Sequence, residues 1–238
     1  MSDIAVAPIS RETGQSLTIS ALRTRMVDRQ LRPFDVTDVP LLDCFLSMPR
    51  EYFLPENQVS LAYSDLAIKI NNSGSHSRTL LPPLILARMI QGSTPRQGDR
   101  VLSIGGGGYS AAILSGLVSE IVVVENDTLI AQRMQTAFKR LSLNNIHVEI
   151  SALSRGAPHL GPFDIILVEG AVEKDLSSLC SQLNQGGRIM AVATPELGAG
   201  RQLARFDHVN GRLEGALPIL SIHVPVLEGF EKNSDFVF

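Results

Sequence analysis

Four consecutive glycines, Gly105, Gly106, Gly107 and Gly108, follow the apolar run Val101–Ile104 and precede Tyr109, Ser110, Ala111 and Ala112. A glycine turn between a buried strand and a helix lets backbone approach a ligand closely. It also leaves the helix N-terminus free to meet polar groups. Twenty residues beyond Gly105, at the end of the apolar run Ile121–Val124, stands Glu125, with Asn126 after it. An acid there accepts hydrogen bonds from the ribose hydroxyls of an adenosine group. Ligands of open parallel sheets collect in this crevice, beyond the carboxyl ends of the strands.

Two cofactors suit such a crevice. Residues 106–111 satisfy G-x-G-x-x-A, the dinucleotide fingerprint, which makes NAD one candidate. S-adenosylmethionine uses the same order of strand, glycine turn, strand and acid, and has no pyrophosphate to bind. The plain alternative is a tight turn without a ligand, with Glu125 a solvated acid at a strand end.

The elements that must hold these residues follow from hydrophobic spacing. After Arg100 the chain alternates short apolar runs with helical periods. Strands are expected at Val101–Ile104, Ile121–Val124, Ile146–Ile150, Phe163–Val168 and Arg188–Ala193. Helices are expected after Tyr109, over Thr128–Leu141 and near Lys174–Leu183, and short strand-like pieces at Gly215–Leu220 and Ile222–Val226. Strand and helix repeated in this way give an α/β fold: a doubly wound, mainly parallel Rossmann-like sheet of six or seven strands with helices on both faces. Ahead of it, helical spacing over Thr18–Leu31 and Val39–Met48, and a helix opened by Pro82 and Pro83, predict a helical N-terminal cap. The expected layout is a flexible lead-in over 1–18, a cap and substrate-side segment over 19–98, and the cofactor-binding core over 99–238, all in one compact unit. The polar stretch Asn71–Arg78 reads as a surface loop placed to act as a lid.

Composition removes several function classes. The 238 residues are 44% hydrophobic and 19% charged, with 21 Lys plus Arg against 24 Asp plus Glu. A net charge of −3 lacks the basic excess of a general nucleic-acid binder. No apolar run reaches the roughly 18 residues that span a bilayer, and the N-terminus lacks a secretory signal, so neither membrane nor export is expected. Two cysteines, Cys44 and Cys180, form neither a disulfide framework nor a zinc set and suit a reducing cytoplasm. His76, His147, His159, His208 and His223 have no metal-ligand spacing, so no metal is expected. Oligomeric state is not written in these patterns.

Over roughly residues 26–195 the chain resembles the protein-L-isoaspartate O-methyltransferase family of class I methyltransferases. Met48-Pro49-Arg50-Glu51 with Phe53 and Pro55 is similar to its V-P-R-x-x-F-V-P segment, and Ala62-Tyr63-Ser64-Asp65 to its A-Y-x-D. Val101–Tyr109 resembles its V-L-E-I-G-x-G-x-G-Y loop, shortened by about one residue. Glu125 matches its ribose-binding acid. Pro162-Phe163-Asp164 and Gln182-Leu183 with Gly186-Gly187-Arg188 match two further signatures. The resemblance implies S-adenosylmethionine as cofactor and a protein or peptide bearing isoaspartyl residues as substrate. It implies cofactor contacts at Ser103, Gly105–Gly108, Glu125, Asn126, Ala152, Leu153 and Glu169.

The departures from the family pattern are as specific. Its G-Q-T-I-S loop aligns with Ser77-Arg78-Thr79-Leu80-Leu81, so the active-site serine is Leu81. Thr79 keeps a hydroxyl and becomes the catalytic candidate. The acid of its first strand is Ser103, its D-G pair is Ala152-Leu153, and its T-A-A segment reads Glu169-Gly170-Ala171. These changes leave two further readings: a fold that binds cofactor without turnover, or a methyltransferase for an amine or hydroxyl acceptor, which a carboxylate at Glu169 would orient. A solvent-facing Glu169 is the simpler alternative. Arg50 and Glu51 read as an ion pair or as substrate-side groups.

Overall fold

The computed structural model describes residues 11–71, 77–194 and 200–232, the backbone alone for 11–18 and 216. Helix α1 covers Arg11–Met26 and runs on through a five-residue π turn, Val27–Leu31. It starts seven residues before the expected Thr18. No proline interrupts Arg11–Met26, and the lone Gly14 costs a helix only about 1 kcal/mol. Helix α2, Val39–Ser47, starts where the Asp38 carboxylate accepts the Leu41 N–H at 3.0 Å, with Pro40 in its first turn. Helix α3 is Pro83–Ser93. Between α2 and α3 lies a two-residue antiparallel ladder, β1 (Ile68–Lys69) with β2 (Thr79–Leu80), whose strands flank the expected lid. Most of the expected lid, with His76, falls outside the described residues.

The core then alternates as expected: β3 (Arg100–Ile104), α4 (Tyr109–Leu114), β4 (Glu120–Glu125), α5 (Thr128–Arg140), β5 (Ile146–Ile150), β6 (Phe163–Ala171), α6 (Ser177–Cys180), β7 (Leu183–Ala193), β8 (Gln202–Val209) and β9 (Arg212–Ser221). Seven strands lie in the order β5-β4-β3-β6-β7-β8-β9. Neighbours from β5 to β7 are parallel, and β8 and β9 close the edge antiparallel. Side chains of a strand alternate between faces. Val101, Ile121, Val123, Ile165 and Leu167 therefore meet the helices α2–α5 in one core, and Leu102, Ile104, Val122, Val124, Ile166 and Val168 fill a second core with α6.

Two expectations need correction. The helix near Lys174–Leu183 is only the single turn Ser177–Cys180, because Leu183 already pairs with Phe163 as the first residue of β7. This thin cover leaves a cavity of about 630 Å³ lined by Val172, Leu176, Phe206 and Leu213. The segment Ile222–Val226 is not a ladder strand. It straps across the end of β6, where the Ala171 N–H donates to Pro225 O at 3.0 Å and the Leu227 N–H donates to Ala171 O at 2.9 Å.

Candidate cofactor crevice

Glu125 closes β4 and is fully buried. The chain turns at once into α5, whose cap is Asp127, so the Asn126 and Asp127 N–H groups point back at Glu125 Oε1 at 2.9 and 3.0 Å. Arg78, buried and one residue before β2, donates from Nη2 to the same oxygen and to Asn126 Oδ1 at 3.3 Å. Glu125 Oε2 has no partner among the described residues. Burial pushes this carboxyl up, with the Arg78 charge and the two backbone N–H groups pulling against it.

Glu169 stands across the glycine turn, on β6. The register pairs Ser103 with Leu167, so Glu169, two residues on, projects from the same sheet face as Ser103. Its Oε1 accepts the Ser103 hydroxyl at 2.8 Å and the Ser110 hydroxyl from α4, and its Oε2 is unpartnered. A Cβ on Gly106 would lie 2.0 Å from this carboxylate, so a side chain there would have to displace it. Burial pushes the Glu169 carboxyl up to about 7; the two serine hydroxyls and the Arg50 and Arg78 charges offset this only in part. The solvent-facing reading of Glu169 is therefore corrected: the side chain is 1% exposed. The acid that the family pattern puts at position 103 on β3 reaches the same corner from β6, with Ser103 as its hydrogen-bond donor.

Around these acids the crevice is covered by the chain itself. Gly105 has φ +79°, and a Cβ on it would meet Leu227 at 2.8 Å and Arg78 Nη1 at 2.9 Å. Ile70 lies over Gly107, and Leu227 also packs on Gly170. Arg50 is not paired with Glu51. It is fully buried 5.0 Å from the Tyr109 ring, donates to Leu81 O at 2.6 Å, and is pushed down to about 10 by burial. Glu51 instead meets Arg23 at 3.4 Å and the Tyr63 hydroxyl.

The remaining candidates lie further out. Thr79 is half-buried in β2, paired with Lys69, and Leu81 is core. Ala152 is exposed and precedes a short 3₁₀ turn, and Leu153 packs in the second core cluster with Ile104 and Phe230. His147 and His159 are surface groups, each 3.7 Å from Glu149. No cluster of three metal-ligating side chains occurs among the described residues. Among them, too, no helix is long and apolar enough to cross a membrane. Sequence reading passed over Ser110 and the guanidinium of Arg78. The signal for Ser110 was the pairing of a serine at 103 with an acid at 169.

Residues 24–230 match the model of the protein-L-isoaspartate(D-aspartate) O-methyltransferase family. The chain belongs to this family. Among its relatives, the protein-L-isoaspartate O-methyltransferase of Pelotomaculum thermopropionicum is 34% identical over 170 residues, 71% of this chain and 72% of that protein. Protein-L-isoaspartate O-methyltransferase 1 of Rhodopseudomonas palustris is 35% identical over 184 residues, 77% and 72%. A solved protein-L-isoaspartate O-methyltransferase superposes with a TM-score of 0.75 at 26% identity, over 87% of this chain and 66% of that one. A Plasmodium falciparum structure described as a beta-aspartate methyltransferase, in complex with S-adenosyl-L-homocysteine, gives 0.69 at 16% identity, over 88% and 98%, and shares the fold. The family is one of S-adenosylmethionine-dependent methyltransferases, and its members act on isoaspartyl residues of proteins. The match runs past the motif-bearing stretch 26–195, through β8, β9 and the strap. Neither a lapse to binding alone nor an amine or hydroxyl acceptor finds support in these relatives.

Proposed function

We propose that this chain transfers a methyl group from S-adenosylmethionine to the carboxylate of isoaspartyl residues in proteins or peptides, in the reducing cytoplasm that suits its free Cys44 and Cys180. The observation that carries the reading is the buried Glu125 at the end of β4, with an acceptor oxygen left over beside a glycine turn. Residue types fit the cofactor. Glu125 Oε2 and Glu169 Oε2 are orphaned acceptors on either side of Gly105–Gly108, one for ribose hydroxyls and one for the cationic amino-acid end. Asn126 flanks the ribose acid, Ser103 and Ser110 fix Glu169, and Ala152 and Leu153 form the adenine side.

When bound, the cofactor supplies an electrophilic methyl group for in-line displacement. The acceptor carboxylate is already ionised at neutral pH, so the chain's task is to position it and to exclude water, without a strong base. Arg50 lies close enough to act on Glu169 electrostatically and offset its repulsion of an incoming carboxylate. Thr79 offers the hydroxyl that the motif otherwise places at Leu81. The test is transfer of labelled methyl to an isoaspartyl peptide and to its aspartyl isomer. Base-labile label on the isoaspartyl peptide alone is expected. Label on neither peptide, or base-stable label on amines, would overturn the assignment.

A further inference from the structure

The ion pair at the ribose corner is poorly built for a permanent structural role. Arg78 and Glu125 are both buried, yet the contact uses one carboxylate oxygen, and Arg78 Nε and Nη1 have no partner among the described residues, nor has Glu125 Oε2. Buried charges left partly unsatisfied are costly, and a buried pair stabilises only when its remaining donors and acceptors are bonded. The guanidinium also lies over the bare Cα of Gly105, the face that a glycine turn keeps open for a ligand. A ribose diol has two O–H donors and would engage both oxygens of Glu125, where Arg78 engages one.

We propose that Arg78 is an intrachain latch on the cofactor crevice, its guanidinium holding on Glu125 and over Gly105 the place of the ribose, so that an adenosine ligand enters by exchange with it. This rests on the S-adenosylmethionine reading and adds a competitor within the chain. The backbone of Arg78 need not move for the exchange. Its N–H is held by Asn71 Oδ1 at 3.0 Å and its carbonyl by the Ile70 N–H at 2.8 Å, so the long side chain is the moving part. Competition of this kind lowers apparent affinity by the fraction of molecules with the latch open.

The experiment is calorimetric titration of the full chain and of Arg78→Met with S-adenosylhomocysteine, adenosine and S-adenosylmethionine. The latch predicts binding about tenfold tighter in Arg78→Met for all three. Unchanged or weaker binding of adenosine and S-adenosylhomocysteine would overturn it. So would a gain confined to S-adenosylmethionine, since that signals only relief of charge repulsion from the sulfonium. If neither protein takes up any of the three ligands, the latch and the cofactor assignment fall together; if the native chain binds and the variant binds no tighter, the latch alone falls. A measurement on the native chain covers the case where the variant misfolds. The Arg78 guanidinium proton, assigned with Arg78→Lys, should exchange slowly without ligand and rapidly with S-adenosylhomocysteine. Persistent slow exchange at saturation would contradict the exchange of partners.

Discussion

The two acids of the crevice are both buried, and they are compensated by different groups. Glu125 meets a full positive charge and two backbone N–H groups, so its charged form has compensation at hand. Glu169 meets two serine hydroxyls, with Arg50 and Arg78 acting only at longer range, and its carboxyl rises to about 7. Neutral donors satisfy hydrogen bonds without cancelling desolvation. Burial pushes both carboxyls up; at Glu125 a formal charge opposes the push directly, while Glu169 stands near its titration point in neutral solution.

The strongest way to break this comparison is to crowd the second corner. Ser103→Glu restores the acid of the family pattern beside Glu169 and places two carboxylates in one buried site. It should cost about 3–5 kcal/mol in urea unfolding, the scale of an uncompensated buried charge. Ser103→Glu with Glu169→Ala should regain most of that loss. A double variant as unstable as the single one would show that the two positions do not serve one corner.

A smaller effect sharpens the contrast through pH. The folded-state value of Glu169 lies above its ordinary value of 4.5, so the native chain binds more protons than the unfolded chain between 4.5 and about 7. This contribution to stability is present below pH 4.5 and is lost as pH rises through about 7. Glu169→Gln should remove that slope and leave the variant more stable at pH 8, by up to about 3 kcal/mol. Parallel stability profiles for the two proteins would refute the burial argument. Smallest is the effect at β2: Thr79→Val should lower turnover on an isoaspartyl peptide about tenfold, or about 1.4 kcal/mol, with little change in stability. Unchanged turnover would leave positioning by the crevice as the whole source of rate.

The same contrast explains what was legible in the sequence. Glu125 could be read because its role follows from local order: an apolar run, a glycine turn, a second apolar run, an acid. The parallel sheet was readable for the same reason, each strand and helix carrying its own period. For Glu169 the resemblance implies a cofactor contact, but its hydrogen-bond partners are not legible, because Ser103 and Ser110 lie 66 and 59 residues away and meet it only through the pairing of β3 with β6. Arg78 was quoted only as a member of a motif. Nothing in Ser77-Arg78-Thr79 says that the guanidinium turns inward onto Glu125. The helix Lys174–Leu183 was overread because its apolar spacing serves a single turn and then a strand, a switch that register with β6 decides.

The most direct test of the account asks which cofactor the crevice takes, and through which acid. The native chain should be titrated with S-adenosylhomocysteine and with NAD, and the titrations repeated on Glu125→Ala. Binding of S-adenosylhomocysteine, weakened about tenfold to a hundredfold by the substitution (about 1–3 kcal/mol), is the predicted result, since the ribose hydroxyls lose their acceptor. Binding of NAD without S-adenosylhomocysteine, or S-adenosylhomocysteine affinity indifferent to Glu125, would contradict it.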